Sequence, residues 1–163
     1  MKVSVVMGSM SDFSKVEQAV NVLKSFDVSV DVQCLSAHRC LDELMDYLDK
    51  INNDGTEVII ACAGMAAALP GVIAAHTVIP VIGVPIAGSK LDGMDALFSI
   101  VQMPTGIPVA TVAIDGCKNA AYLALQILGV KYDEMKKKVL DERAKMKKAL
   151  LESNEELQKN INN

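Results

Sequence analysis

Aromatic side chains are scarce in this chain, at 4% of 163 residues, and tryptophan is absent. Hydrophobic residues nevertheless reach 51%, so the core must be built from Ala, Val, Ile, Leu and Met. Such a composition suits a parallel sheet, whose buried strands read as aliphatic runs. A basic excess is missing as well. Net charge is −4, and the one dense group of lysines (Lys136, Lys137, Lys138, Lys145, Lys147 and Lys148) is interleaved with Asp141, Glu142 and Glu152. That pattern describes a solvated helix face, and it argues against nucleic acid as the partner, since such binding rests on a cationic surface. No long apolar run occurs either. Residues 72–86 are interrupted by His76, Thr77, Pro80, Gly83 and Pro85, whereas a membrane-spanning helix needs ~20 largely apolar residues. The chain opens on Lys2-Val3-Ser4-Val5-Val6, which is not a leader with an apolar segment and a small-residue cleavage site. A cytoplasmic protein without a membrane partner is expected. The cysteines, Cys34, Cys40, Cys62 and Cys117, form no C-x-x-C pair and have no zinc-ligand spacing, so they read as thiols of a reducing compartment.

What is present is a regular alternation of strand and helix patterns. Strands are expected at residues 3–7, 28–35, 57–62, 81–84 and 109–112. Helices are expected from a cap at Ser11 or Asp12 to about residue 26, then at 41–51, 69–77, 92–101 and 119–128, the last ended by Gly129. Short-loop βα alternation implies a parallel sheet with helices on both faces. The fold class is therefore α/β: a three-layer α/β/α flavodoxin-like domain with a five-stranded parallel sheet of order 2-1-3-4-5. Ligands in that arrangement sit outside the carboxyl ends of the strands, at the switch between the first and third. Residues 1–163 read as a single catalytic domain. Residues 131–158 read as a long charged C-terminal helix with a thin stripe of Tyr132, Met135, Val139, Met146 and Leu150. So narrow a stripe needs a partner surface, either its own domain or a neighbouring subunit.

The residues with chemistry fall on loops that follow strands. Gly8-Ser9-Met10-Ser11-Asp12 is a hydroxyl-rich turn into a helix N-terminus, a setting that favours an anion such as phosphate and equally suits simple capping. Ser36-Ala37-His38-Arg39 places an imidazole, able to give or take a proton near neutral pH, beside a planar guanidinium suited to phosphate. Ala63-Gly64-Met65-Ala66-Ala67-Ala68 offers small side chains and backbone N–H groups, as close approach of a flat ligand requires. Ala87-Gly88-Ser89-Lys90 completes the set. His76, inside a helix pattern, reads as structural or surface. Pattern alone thus reaches a phosphate-bearing small molecule held at strand ends, with one acid/base histidine. No metal cluster, redox-cofactor fingerprint or activated serine is visible.

At these residues the chain resembles the aminoimidazole ribonucleotide carboxylase family. The likeness runs from Val3 to about Leu128. It includes Met7-Gly8-Ser9-Met10-Ser11-Asp12, Ser36-Ala37-His38-Arg39, Leu69-Pro70-Gly71, Pro80-Val81-Ile82-Gly83-Val84-Pro85 and Ser99-Ile100-Val101-Gln102-Met103-Pro104. The resemblance implies transfer of a carboxylate to C4 of the imidazole ring of a ribonucleotide, with no metal or cofactor. It implies a homo-octamer with active sites between subunits and the C-terminal helix on a neighbour. Ser9 and Arg39 would serve the phosphate with Ser36 nearby, Asp12 the ribose hydroxyls, and His38 the proton transfers. Ala63, Gly64 and Met65 would line the site. Three departures stand out. Family members that move the carboxylate from the ring's exocyclic nitrogen carry a histidine where this chain has Ala68, and a glycine where it has Met65. Ser-Ala-His-Arg is normally followed by Thr-Pro, here by Cys40-Leu41. Relatives that use carbon dioxide directly also lack that histidine, but usually carry Lys at the Arg39 position and Arg at the Met65 position. Members moving the carboxylate within the substrate are the closer match. Direct carboxylation and a non-catalytic nucleotide-binding homologue are the alternatives.

Overall fold

Val58, Ile59, Ile60, Ala61, Cys62 and Ala63 are all buried, as a strand covered on both faces must be. In the computed structural model, which describes residues 1–88 and 90–162, they form the middle of a five-stranded sheet. Chain order is β1 (Lys2–Met7), α1 (Phe13–Ser25), β2 (Ser29–Cys34), α2 (Leu41–Ile51), β3 (Val58–Gly64), α3 (Leu69–His76), β4 (Val81–Ile86), α4 (Met94–Val101), β5 (Ala110–Thr111), α5 (Cys117–Lys131) and α6 (Asp133–Ile161). Every pairing is parallel and the order is β2-β1-β3-β4-β5, so the expected flavodoxin-like topology is what forms.

The period of two along each strand divides the core. Val3, Val5, Val58, Ile60, Ile82 and Val84 face α1 and α5, whose Val16, Ala19, Leu23, Ala121, Ala124 and Leu125 cover them. Val6, Ile59, Ala61 and Val81 face the opposite layer of Leu44, Leu48, Ile51, Ile73, Ala96 and Ile100. Gly83 permits α4 and the approach to β5 to lie close on the sheet, since a Cβ there would stand 2.5 Å from Ile100 Cγ2 and 2.7 Å from Val109 Cγ1. One polar cluster interrupts the second layer: the Ser4 hydroxyl meets the Tyr47 hydroxyl at 2.7 Å, and Tyr47 donates to Asp31 Oδ2 at 3.0 Å.

Several element ends differ from the sequence reading. The helix expected to be capped by Ser11 or Asp12 begins instead with a single 3₁₀ turn, Met10–Asp12. That turn is capped by Ser9, whose Oγ accepts from the Ser11 N–H at 3.3 Å, while Asp12 does occupy the cap position of α1 but makes no side-chain capping bond. Gly129 does not end α5. It lies buried inside the helix, where a Cβ would stand 3.3 Å from Lys136 Cα, so the glycine serves the approach of α6. The terminal helix spans Asp133–Ile161. Its first turns fold back on their own domain through buried Met135 and Val139. Beyond them Met146, Leu150, Leu151, Leu157 and Ile161 stay exposed.

Candidate active site

Parallel pairing aims the carboxyl ends of β1, β2, β3 and β4 at one rim of the sheet, and the loops that follow them enclose a cavity of about 650 Å³ there. Gly8, Ser9, Ser11 and Asp12 come from the first loop, Ser36, Ala37, His38 and Arg39 from the second, residues 63–69 from the third, and Ile86, Ala87 and Gly88 from the fourth. All the residues singled out from sequence (Ser9, Asp12, Ser36, His38, Arg39, Ala63, Gly64 and Met65) line this one cavity, together with Ala68. Ser89 lies outside the described residues, and Lys90 is not among the lining residues.

The first two loops are tied to each other. Arg39 donates from Nη2 to the Gly8 carbonyl at 2.7 Å and from Nε to Ser36 Oγ at 3.3 Å. Its fork is thereby held next to the Ser9 turn, with the rest of its donors left to face an anion. Within the turn, the Ser9 and Ser11 hydroxyls are 2.8 Å apart and Ser11 donates to Asp12 Oδ1 at 3.1 Å. The second loop closes on itself through backbone bonds from Arg39 and Cys40 to the Ser36 carbonyl, at 3.2 and 3.0 Å. Cys40, in place of threonine, accepts from the Ser36 N–H through Sγ at 3.0 Å, which makes it a turn residue. His38 sits exposed at the apex of this turn and lines the cavity.

The third loop turns on Met65, whose φ of 56° lies in the left-handed region. A side chain in that region costs roughly 1–2 kcal/mol, so a glycine, as the resemblance leads one to expect there, would sit without that strain. Gly64 has Ile86 O only 3.0 Å from where a Cβ would be, so the wall is drawn close at this point. Ala68 stands immediately before α3, with Pro70 in the first turn of that helix.

The remaining sequence candidates lie elsewhere. His76 pairs with Asp49 at 2.8 Å on the far side of α3. Cys62 and Cys117 are buried; the bond between their thiols, followed by burial itself, pushes the Cys62 thiol up. Cys34 is exposed, and partial burial raises its thiol against the pull of Arg39. A larger concavity, about 830 Å³, opens at the amino end of β4, but His76 is its one titratable lining residue. Several titratable and hydroxyl side chains gather instead around the cavity at the carboxyl rim. Among the described residues, no group of three or more His, Cys, Asp or Glu is placed to hold a metal, and no helix is long and apolar enough to cross a membrane.

Two participants escaped the sequence reading. Lys15 lines the cavity, and its partner Asp115 sits at φ 56° after β5. Lys15 stands on the polar face of α1, away from the apolar stripe of Val16, Ala19, Val20 and Leu23 that marks the helix in the sequence. The Asp115-Gly116 pair, a turn signal in itself, follows a strand of only Ala110–Thr111.

A family model described as AIR carboxylase matches residues 2–149. The chain is 54% identical over 147 residues to the N5-carboxyaminoimidazole ribonucleotide mutase of Pyrococcus abyssi, covering 90% of this chain and 84% of that protein. It is 48% identical over 157 residues to the protein of the same name from Thermotoga maritima, covering 96% and 92%. In three dimensions it is similar to the crystal structure of Treponema denticola PurE, with a TM-score of 0.88 and 27% identity over 96% of this chain and 98% of that one.

Proposed function

The chain belongs to the AIR carboxylase family, and from that premise we propose that it is an N5-carboxyaminoimidazole ribonucleotide mutase, an isomerase of purine biosynthesis. It would move the carboxylate from the exocyclic nitrogen to C4 of the ring. The names of relatives at about half identity support this reading. The observation that carries it is the gathering of Ser9, Asp12, Ser36, His38 and Arg39 around one cavity whose third side is small-residue backbone.

The proposed chemistry follows from that sparse set. Arg39 and Ser9, with Ser36, bind the phosphate by charge-assisted bonds, and Asp12 accepts from the ribose hydroxyls. The ring lies against residues 63–65. His38 protonates the carbamate nitrogen, the N–C bond breaks, and carbon dioxide is released into the cavity. The electron-rich C4 attacks it, forming a C–C bond at a tetrahedral carbon that carries both hydrogen and carboxylate. Loss of that hydrogen to His38 restores aromaticity. Atoms balance without an oxidant or reductant. Because the carbon dioxide does not leave, recapture is effectively intramolecular. Imidazole suits both proton transfers, being able to give and take near neutral pH.

Direct carboxylation of aminoimidazole ribonucleotide is the second reading, favoured by one observation, Ala68 where relatives that shift the carboxylate have histidine. Arg39 favours the mutase. We further propose a cytoplasmic homo-octamer in which the exposed stripe of α6 packs on a neighbouring subunit. Incubation of the purified protein with N5-carboxyaminoimidazole ribonucleotide should yield the C4-carboxylated isomer, and His38→Asn should abolish turnover while nucleotide affinity is retained. Turnover at the wild-type rate in that variant would remove His38 from the mechanism.

A further inference from the structure

Released carbon dioxide is uncharged, so no ion pair can retain it; the walls of the cavity must. One of those walls, Ala87 and Gly88, begins where β4 ends at Ile86. Past that point the backbone of Ala87 has lost its sheet partners, and buried or half-buried polar groups need replacements. A single ion pair supplies both. The Ala87 N–H donates to Asp115 Oδ1 at 2.9 Å, and its carbonyl accepts from Lys15 Nζ at 2.6 Å. Lys15 closes the ring by donating to both oxygens of Asp115, at 2.9 and 2.8 Å. Helix α1, the loop after β4 and the turn after β5 are joined in this way.

Each end of the brace is itself anchored. Lys15 extends from α1 one turn past Asp12. Asp115 donates its own N–H to the Pro85 carbonyl at 2.8 Å, and its carbonyl accepts from the Cys117 N–H at 2.8 Å. Its φ of 56° aims the carboxylate back at Ala87. On the other side of Ala87, Gly93 packs so closely that a Cβ there would stand 3.2 Å from Ala87 Cα. An alternative role for Lys15, as a ligand to the substrate phosphate, conflicts with its geometry. Its ammonium is held by Ala87 O at 2.6 Å and by both oxygens of Asp115 at 2.9 and 2.8 Å, so its charge is already matched by a carboxylate.

We propose that Lys15 and Asp115 are a positioning pair, which holds the Ala87–Gly88 wall in the place that keeps released carbon dioxide beside C4. This inference rests on the mutase reading and adds residues that touch neither substrate nor reacting atoms. A displaced wall leaves phosphate binding and the first bond cleavage intact and lets carbon dioxide escape. The diagnostic quantity is therefore a ratio: aminoimidazole ribonucleotide released by decarboxylation of the substrate, per C4-carboxylated product formed, after subtraction of the enzyme-free background. This ratio does not depend on how much of a variant is folded, so a merely structural role would not move it.

The experiment measures that ratio from N5-carboxyaminoimidazole ribonucleotide for the wild type, Lys15→Met, Asp115→Asn, the double variant and Lys15→Arg. Each single loss should raise it by roughly tenfold, well within the ~100-fold that an ångström of misplacement can cost. The double variant should be no worse than the singles, because the two groups act as one unit. Lys15→Arg, which restores charge and donors, should bring the ratio most of the way back. A ratio equal to that of the wild type in Lys15→Met and Asp115→Asn, even with slower overall turnover, overturns the proposal. Conversion of nothing by the wild type overturns the mutase reading instead, and this inference falls with it.

Discussion

Replacement of Tyr47 by phenylalanine tests how the polar cluster in the second core layer is built. Tyr47 donates its one proton to Asp31 Oδ2 at 3.0 Å. Burial is the main influence that pushes this hydroxyl up, with the Ser4 bond opposing and Asp31 reinforcing, so the phenol stays a donor across the working pH range. The 2.7 Å contact with Ser4 must then run from the Ser4 hydroxyl to a lone pair of Tyr47. Ser4 is 0% exposed. In Tyr47→Phe its donor is stranded without water, and an unsatisfied buried group costs about 1–3 kcal/mol. In Ser4→Ala, by contrast, Tyr47 keeps its bond to Asp31, and about 0.5–1.5 kcal/mol is lost, the net worth of one hydrogen bond. A domain of this length loses about 2–4 °C of Tm per kcal/mol, so a mid-range loss of about 2 kcal/mol lowers the Tm of Tyr47→Phe by about 4–8 °C. The double variant leaves nothing stranded at Ser4 and should be less destabilised than the two single losses summed. Thermal melts at matched protein concentration measure all three. An unchanged Tm in Tyr47→Phe, or strict additivity in the double variant, refutes this account of the cluster.

Other perturbations follow from the same structure. Gly83→Ala forces a Cβ to within 2.5 Å of Ile100 Cγ2, and overpacking of that kind should cost about 1–3 kcal/mol in denaturant titrations. Arg39→Lys keeps the charge but loses the fork held by Gly8 and Ser36; KM should rise by about tenfold, with kcat changed much less, as loss of uniform binding requires. Met65→Val should be less stable than Met65→Gly by about 1–2 kcal/mol, because φ there is left-handed and only glycine occupies that region freely. Asp54 is held below the ordinary carboxylate range, first by its bond from Lys2 and then by Thr56. A depressed carboxylate contributes stability above its unfolded pKa and loses it as pH falls through the folded value. Asp54→Asn should therefore be less stable than the wild type at neutral pH and converge with it in strong acid, as pH-dependent melts will show.

Much of the fold could be read from the chain because the strong signals are local. The run Val58-Ile59-Ile60-Ala61 marks a buried strand, expected at 57–62 and found at Val58–Gly64, and the spacing of Leu41, Leu44, Met45 and Leu48 marks α2 at 41–51. Element ends were less legible. Ser9 caps from farther upstream than Ser11 because a 3₁₀ turn precedes α1. Gly129 looked like a stop, and burial against α6 is what accounts for it. For the candidate site, the loops after the strands converge because parallel topology leaves them no other rim. What stayed hidden was the pairing of Lys15 with Asp115, 100 residues apart. Neither residue belongs to a local pattern that names its partner, and the packing of α1 against α5 is what brings their segments together. The placing of α6 was also open, since its stripe divides: Met135 and Val139 cover the domain's own core, while Met146 and Leu150 are exposed.

In the proposed reaction one carboxyl carbon passes from nitrogen to C4 without leaving the cavity. Substrate labelled with ¹³C at the carbamate carbon, turned over in unlabelled bicarbonate, measures this directly. The C4 carboxylate of the product should carry the label at nearly the enrichment of the substrate. A product enriched only to the level of the bicarbonate in solution would contradict it, and would make the protein a carboxylase that takes its carbon dioxide from outside.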